Sequence, residues 1–329
     1  MNKIKLILFV IVLFNFQSSK TLKEGVLSKN EKKEVVASVG RLLEDIYVFP
    51  EIGKKMNALL NKNLELGKYD SITDPNVFSQ TLTEHLFTIS NDKHLGVTLI
   101  PELKEMSSKT FATDDMEQAM KERLDKLGGN NYGFKEFKIL EGNIGYLDLR
   151  IFHYPKWAKK AAVEAMSFFS EANALIIDLR NNGGGSGEMV RFISSYLFEG
   201  TPIHLNSFYS RRGNSFSESW TLSSVPGKQL PDIDVYILTS NRTFSAAEEF
   251  TYNLKHLKRA TIIGEKTRGG AHPVSPQKAT NRFEVWIPWG RSINPITKTN
   301  WEAVGVIPDI NIESDKALAK ALNIIAKNK

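Results

Sequence analysis

The segment from Val235 to Phe250, VYILTSNRTFSAAEEF, places Ser245 where an apolar strand pattern turns into a helix pattern. Small residues follow this serine, beginning with Ala246. Small residues after a serine at such a turn leave its hydroxyl open to a cleft and free the next backbone N–H to face a developing oxyanion. The same residues also suit a helix N-cap. This segment alone leaves two readings open, nucleophile and cap.

A glycine cluster lies about 65 residues upstream, in ALIIDLRNNGGGSGEMV at positions 174–190. Glycines at the end of a buried strand allow close backbone approach and can present N–H groups to an anion. Half of an oxyanion hole and a phosphate cradle both remain open, although neither nucleotide-binding spacing is present. Asp178 and Arg180 alternate at the strand end and are expected to form a structural pair that fixes the glycine loop.

Four motifs occur in a fixed order between roughly Leu95 and the C-terminus: DLRNNGGG, TSNRTFSAAEEF, GEKTRGGAHP and NWEAVGVIPDI. In this order they resemble the tail-specific (C-terminal processing) serine peptidase family, whose relatives include the tricorn protease core and the interphotoreceptor retinoid-binding protein modules. The chain most resembles the retinoid-binding-protein-like branch. The resemblance implies an α/β fold, a spiral core like that of the Clp protease and crotonase groups. It also implies an oxyanion hole from the N–H groups of Ala246 and Gly184 or Gly185.

The hydrophobic periodicity predicts two regions. Three amphipathic helices between Glu31 and Ile89 predict a small helical bundle over residues 20–93. From His94 the period changes to two, and a catalytic core over 94–329 follows. Apolar strands alternating with helices predict a mostly parallel sheet covered on both faces. The predicted strands are 144–152, 174–179, 235–238, 261–263 and 283–287, and the predicted helices are 116–127, 156–171, 187–197 and 246–258. About forty residues separate the strands at Leu95 and Ile144, too few for an inserted PDZ domain.

A serine nucleophile needs a base within hydrogen-bond reach. The processing peptidases use a lysine about two dozen residues downstream, where this chain has Gly269, Gly270 and Ala271. Lys266 comes too early in the motif and is expected to be a solvated charge. The tricorn-like branch instead carries a histidine in a D-x-H motif, and Asp92-Lys93-His94 matches it. The resemblance therefore makes His94 the base, although a lone histidine is more often structural.

The resemblance also supplies a third catalytic group and a candidate substrate rim. Glu302 matches the glutamate that orients the histidine, but Lys93 replaces the serine that relays this contact, so direct orientation by Glu302 and orientation by Asp92 both stay open. His272 follows a glycine pair and is placed at the substrate-binding rim rather than as the base. Arg291 lies in an aromatic-rich segment, where it is expected either to bind a peptide carboxylate or to belong to a strand packed on the core.

Composition and the N-terminus bound the class of protein. Residues 1–19 combine Lys3 and Lys5 with an apolar run of about 13 residues, which is typical of a secretory signal peptide. An uncleaved anchor is the alternative. The chain has no cysteine, which excludes disulfides, thiol catalysis and a lipoprotein anchor. Removing the signal lowers the formal charge from +6 to +4, and the charges are interspersed, so nucleic acid is not an expected partner.

Three functions compete. The first is an exported, periplasmic or extracellular serine endopeptidase that acts on polypeptides through a Ser245–His94 acyl-enzyme mechanism, without metal or cofactor. The second is a non-catalytic binding module for a retinoid or fatty acid. The third is an ester hydrolase that uses the same apparatus. Presence of both Ser245 and His94 favours catalysis, because a pure binder has no physical need of the pair.

Overall fold

The computed structural model describes residues 25–100 and 113–328, so the predicted signal peptide lies outside the described residues. This part of the chain contains eight α-helices: α1 Lys29–Ile46, α2 Pro50–Glu65, α3 Pro75–Ser90, α4 Thr113–Gly128, α5 Pro155–Phe168, α6 Gly187–Ser194, α7 Ala246–His256 and α8 Ala317–Lys327. It also contains twelve strands: β1 Gly96–Leu99, β2 Phe134–Leu140, β3 Ile144–Leu149, β4 Ala174–Asp178, β5 His204–Ser210, β6 Ser215–Trp220, β7 Asp234–Thr239, β8 Thr261–Gly264, β9 Val274–Lys278, β10 Phe283–Pro288, β11 Gly290–Ile293 and β12 Ile310–Asn311.

A six-stranded sheet in the order β12-β8-β7-β4-β3-β2 forms the centre of the molecule. Every pairing in it is parallel except that of β2 with β3. One face is covered by α5, α6 and α7 and the other by α8, and apolar residues of β3, β4 and β7 point alternately into the two cores. The predicted parallel sheet with both faces covered is confirmed, since continuous apolar strands require burial on both sides.

The three N-terminal helices were predicted from their periodicity and are present. Pro50 and Pro75 open α2 and α3, and the Asp74 side chain caps α3 by accepting hydrogen bonds from the N–H groups of Asn76 and Val77. Their apolar faces share one core with the small antiparallel sheet β1-β10-β9. The three helices therefore do not form a core of their own. A domain boundary between residues 93 and 94 stays a prediction.

The secondary structure differs from the prediction in the pairing of one strand and in several elements that were not predicted, among them β2, β9 and β12. The strand predicted at 283–287 was counted among the strands of a mostly parallel sheet, but the observed β10 pairs antiparallel with β1 and β9 and buries alternate residues against the N-terminal helices. The sheet β11-β5-β6 was not predicted, because β6 (SFSESW) is almost wholly exposed and lacks an apolar face. Helix α8 was also missed. None of the helices within residues 25–100 and 113–328 is long and apolar enough to cross a bilayer.

Candidate active site

Ser245 and His94 meet although 151 residues separate them in the chain. Ser245 ends the loop after β7, and His94 stands two residues before β1, where the N-terminal helices join the antiparallel sheet. The distance from Ser245 Oγ to His94 Nε2 is 3.0 Å, within the range expected for a hydroxyl hydrogen-bonded to a base. The structure thus brings together the two residues that the sequence singled out.

The backbone of Ser245 is left-handed, with φ 55° and ψ −120°. A non-glycine residue in this region costs about 1–3 kcal/mol and persists only where its surroundings hold it. The same strained turn between a strand and a helix exposes the nucleophile in hydrolases with a nucleophile elbow. An N-cap serine normally has an extended backbone, so a capping role alone would not require this strain.

Glu248 holds this turn in place. Its buried carboxylate accepts the N–H of Ser245 at 2.9 Å, the Thr267 hydroxyl at 2.5 Å and the N–H groups of Gly269 and Gly270 at 2.6 and 2.9 Å. Burial raises the pKa of Glu248 to about 7, although these hydrogen bonds act in the opposite direction. No role was predicted for Glu248 from the sequence. The signal was present in the S-x-x-E spacing of a capping box.

His94 is fixed from three sides. Its backbone N–H donates to Asp92 Oδ1 at 3.0 Å, and its ring lies 4.5 Å from that of Phe244. A Cβ atom at Gly270 would stand 2.7 Å from His94 Cε1, so only glycine fits beneath the ring. Burial lowers the pKa of His94 to about 4, with the positive charges of His272 and Arg268 adding to the effect and Asp92 opposing it. The imidazole is therefore neutral at pH 7 and able to accept a proton.

A buried hydrogen-bond network lies behind His94. Asp92 is 1% exposed, and its Oδ2 lies 2.6 Å from His272 Nδ1 and accepts the Tyr47 hydroxyl at 3.2 Å. Burial raises the pKa of Asp92, but the hydrogen bond and charge of His272 outweigh burial and leave that pKa below its usual value. Burial lowers the pKa of His272, and Asp92 and Glu302 reverse this effect and raise it. Asp92 and His272 thus each favour the charged form of the other.

The position of His272 corrects its placement at the substrate rim. Its side chain is 6% exposed and points inward to Asp92. Two glycines before His272 indicated an open loop, but the loop folds back because Glu248 accepts both of their N–H groups. Arg291 does lie on the surface, on β11, with its guanidinium 5.4 Å from the centre of the Tyr209 ring.

Glu302 stands close to this network but does not contact the His94 ring through a hydrogen bond. Its Oε2 accepts the N–H of Ala271 at 2.6 Å and lies 3.6 Å from His272 Nδ1. Burial and the charge of Asp92 raise the pKa of Glu302. Among the described residues, Glu302 Oε1 and His94 Nδ1 are both buried and have no hydrogen-bond partner. Lys93 points elsewhere and donates to the Arg268 carbonyl.

The glycine loop packs directly on Ser245, because a Cβ atom at Gly184 would lie 2.7 Å from Ser245 Cβ. The N–H of Gly184 donates to Asn182 Oδ1 at 2.9 Å and so is not free for an oxyanion, contrary to its expected role. Within the described part of the chain, the N–H groups of Gly185 and Ala246 have no internal partner. Asn182 was not predicted, yet it anchors this loop by donating to the Leu149 carbonyl at 3.0 Å.

The expected structural pair is present near the same loop. Asp178 accepts the Arg180 side chain through both carboxylate oxygens, at 2.9 and 2.6 Å, and also accepts the Tyr146 hydroxyl at 2.7 Å. Arg180 in turn donates to the Ser314 carbonyl at 2.7 Å. These contacts fix the end of β4, where the glycine loop begins.

Among the described residues, Asp92, His272 and Glu302 could together hold a metal ion, since one donor atom of each lies within 4.8 Å of the others. No metal was predicted from the sequence. In the structure Asp92 Oδ2 and His272 Nδ1 are 2.6 Å apart, a distance typical of a charge-assisted hydrogen bond.

A strained serine, a neutral histidine and free N–H groups are the parts that serine hydrolase sites on α/β folds combine. Sequence comparison is consistent with this class. The model of peptidase family S41 matches residues 143–312, and the model of the N-terminal domain of Peptidase_S41 in eukaryotic IRBP matches residues 26–127. The chain belongs to peptidase family S41, and the resemblance to tail-specific serine peptidases is confirmed.

Individual relatives are distant. A probable CtpA-like serine protease of Staphylococcus epidermidis is 24% identical over 230 residues, which cover 67% of this chain and 44% of that protein. The tricorn protease of Thermoplasma volcanium is 27% identical over 140 residues, or 42% of this chain and 12% of that protein. The chain thus spans less than half the length of these curated relatives. The crystal structure of a putative peptidase from Parabacteroides merdae shares the fold, with a TM-score of 0.59 and 19% identity over 89% of this chain and 96% of that one.

Proposed function

We propose that this protein is an exported serine endopeptidase that cleaves polypeptides through an acyl-enzyme intermediate. The observation that carries the proposal is the 3.0 Å contact between Ser245 Oγ and His94 Nε2. Membership of peptidase family S41 supports it. Export rests on the signal-like pattern of residues 1–19, with Lys3 and Lys5 before an apolar run.

The chemistry follows from the geometry of the site. Ser245 Oγ attacks the carbonyl carbon of the scissile peptide bond while its proton passes to His94 Nε2. The tetrahedral intermediate carries its negative charge next to the free N–H groups of Ala246 and Gly185, each of which contributes about 3 kcal/mol of transition-state stabilisation in comparable sites. His94 then protonates the leaving amine. Water, deprotonated by His94, releases the acyl group from Ser245.

A positive charge develops on His94 during both steps and must be balanced. The buried carboxylate of Asp92 partly opposes the lowering of the His94 pKa, and it accepts the backbone N–H of His94. In this proposal Asp92 and Glu302 supply the negative charge behind the imidazolium. The unpartnered Nδ1 of His94 and Oε1 of Glu302 are the atoms available for that interaction.

The test is digestion of an unfolded protein by the chain from residue 20 onward, with a chelator present. Ser245→Ala and His94→Ala should each lower the cleavage rate by about 10³-fold or more. Ser217→Ala, which changes an exposed serine on β6, serves as the control and should keep the rate. Cleavage by Ser245→Ala at the wild-type rate would refute the mechanism.

The same assay separates the remaining alternatives. An ester hydrolase would cleave activated esters through Ser245 and leave the unfolded protein intact. A binding module would cleave neither and would bind retinoid or fatty acid in a fluorescence titration. The contact between Ser245 and His94 favours the two hydrolases, since binding of an apolar ligand has no use for a neutral histidine bonded to a strained serine.

A further inference from the structure

Glu249 is a buried carboxyl group placed one helical turn beyond the nucleophile. Its backbone N–H donates to the Ser245 carbonyl at 2.9 Å, as expected for residues i and i+4 of α7. Ser245 itself precedes α7 and has a non-helical backbone. This hydrogen bond therefore places Glu249 in the first turn of α7, directly after the nucleophile.

Three elements of the fold surround the carboxyl group of Glu249. A Cβ atom at Gly187 would lie 3.5 Å from Glu249 Oε2, so the carboxyl group reaches the start of α6, directly after the glycine loop. On another side Asn206 of β5 donates to Glu249 Oε1 at 3.4 Å. The carboxyl group thus stands between α7, the end of the glycine loop and β5. Gly187 has no side chain to fill the approach to it.

This carboxyl group lacks the partners that a structural role would supply. It is 6% exposed, and within residues 25–100 and 113–328 no lysine, arginine or histidine lies within ion-pair distance of it. Its one hydrogen bond, to Asn206, is long. The adjacent Glu248 accepts four hydrogen bonds. Burial raises the pKa of Glu249 to about 7. Burying a carboxyl group with so little compensation is costly, so a structural role does not explain its presence.

A second buried polar group near Glu249 lacks a hydrogen-bond partner in the described part of the chain. Asn253 lies one further turn along α7, and its fully buried Nδ2 has no partner among the described residues. Its Oδ1 accepts Asn294 Nδ2 at 3.2 Å. Glu249 and Asn253 therefore place two incompletely satisfied polar groups on one face of α7, beside an apolar core. This face begins in the turn of α7 that follows Ser245.

We propose that Glu249 is a specificity-determining residue that receives a lysine or arginine side chain of the substrate, on the acyl side of the scissile bond. This inference rests on the proposed peptidase function. An ammonium or guanidinium group would provide the missing positive charge, and a charge pair in a site closed to water is far stronger than one on the surface. Leucine or glutamate at the same substrate position would leave the carboxyl group unpaired or repelled.

The test compares peptides that differ only in the residue before the scissile bond, which is lysine, arginine, leucine, alanine or glutamate. For the wild type, kcat/KM should be at least about tenfold higher for lysine or arginine than for leucine. In Glu249→Gln, which keeps the shape of the side chain and the contact with Asn206, this ratio should fall to about one. Glu188→Gln removes the same charge from an exposed position on α6 and should keep the wild-type ratio.

A binding measurement separates this inference from the proposed function. Benzamidine, a small cation, should bind to the inactive Ser245→Ala variant, and the added Glu249→Gln change should remove that binding. If the wild type cleaves peptides but prefers neutral residues, or if Glu249→Gln keeps the preference for lysine, the role of Glu249 is overturned while the peptidase stands. If no peptide is cleaved, the peptidase proposal fails. In that case benzamidine binding alone tests the cation site at Glu249, and a lack of binding would overturn that site.

Discussion

Asp92 and His272 form a 2.6 Å hydrogen bond between residues 180 positions apart in the chain. The other carboxylate oxygen of Asp92 accepts the backbone N–H of His94. The loop that carries His272 is thereby connected to the segment that carries the proposed base. His272 does not touch the nucleophile, so we expect it to act by positioning His94.

His272→Ala should therefore reduce both stability and catalysis. It leaves the Asp92 carboxylate buried without its counter-charge, and removing one partner of a buried pair typically costs about 3–5 kcal/mol of unfolding free energy. We expect kcat to fall more than KM rises, because the change acts on His94. Denaturant unfolding and peptide kinetics measure the two effects. His256→Ala, at the end of α7, should keep kcat/KM.

A double-mutant cycle isolates the Asp92–His272 contact. In Asp92→Asn/His272→Ala the buried charge is absent, so the double variant should lose less stability than the sum of the two single variants. Effects that add within about 0.5 kcal/mol would mean that the two side chains do not interact in solution.

Gly184→Ala tests the close packing of the glycine loop on the nucleophile. Gly184 has φ +113°, and its Cβ would stand 2.7 Å from Ser245 Cβ, so the variant must displace the serine. A displacement of about 1 Å in an active site can lower the rate by about 10². The matched control is Gly183→Ala, since a Cβ there meets nothing within 4 Å. Equal kcat/KM for the two variants would contradict the proposed geometry.

Glu248→Gln tests the group that holds the strained serine. An amide NH₂ would face the N–H groups of Ser245, Gly269 or Gly270, none of which can accept a hydrogen bond. Each buried donor left without a partner costs about 1–3 kcal/mol. We expect lower stability and a kcat reduced by about 10² because the turn at Ser245 relaxes. Calorimetry measures the stability and peptide kinetics measure kcat, with Glu188→Gln as the control variant. An unchanged kcat would show that Glu248 does not hold the turn.

Much of the fold and the central pair of the site was predictable from the sequence. Runs of apolar residues at β4 and β7 predicted the parallel sheet, because such strands are stable only when buried on both faces. Ser245 was predicted from its position between a strand and a helix, and His94 from a motif. Their meeting depends on packing of the N-terminal helices against β10, which no local pattern of residues reveals.

The partners of these residues were harder to predict because they depend on contacts that are distant in the chain. His272 looks exposed in a glycine-rich segment, yet the hydrogen bonds to Glu248 turn the loop inward. Gly184 looked like an oxyanion donor, and the side chain of Asn182, only two residues away, accepts its N–H. A glycine count does not show which N–H groups remain free.

The pH dependence of kcat/KM tests the state of His94. Burial lowers the pKa of His94 to about 4, so the base stays neutral well below the usual histidine pKa of about 6.5. The acid limb of the profile for a peptide without ionisable side chains should therefore fall below pH 6. Between these two values the unfolded chain binds more protons than the folded one, so this histidine makes stability fall as pH decreases. Circular dichroism at each pH separates unfolding from titration. A half-maximal rate at pH 6.5 or above, in a folded protein, would mean that the acid limb is set not by this histidine but by a group with a higher pKa, such as Glu248.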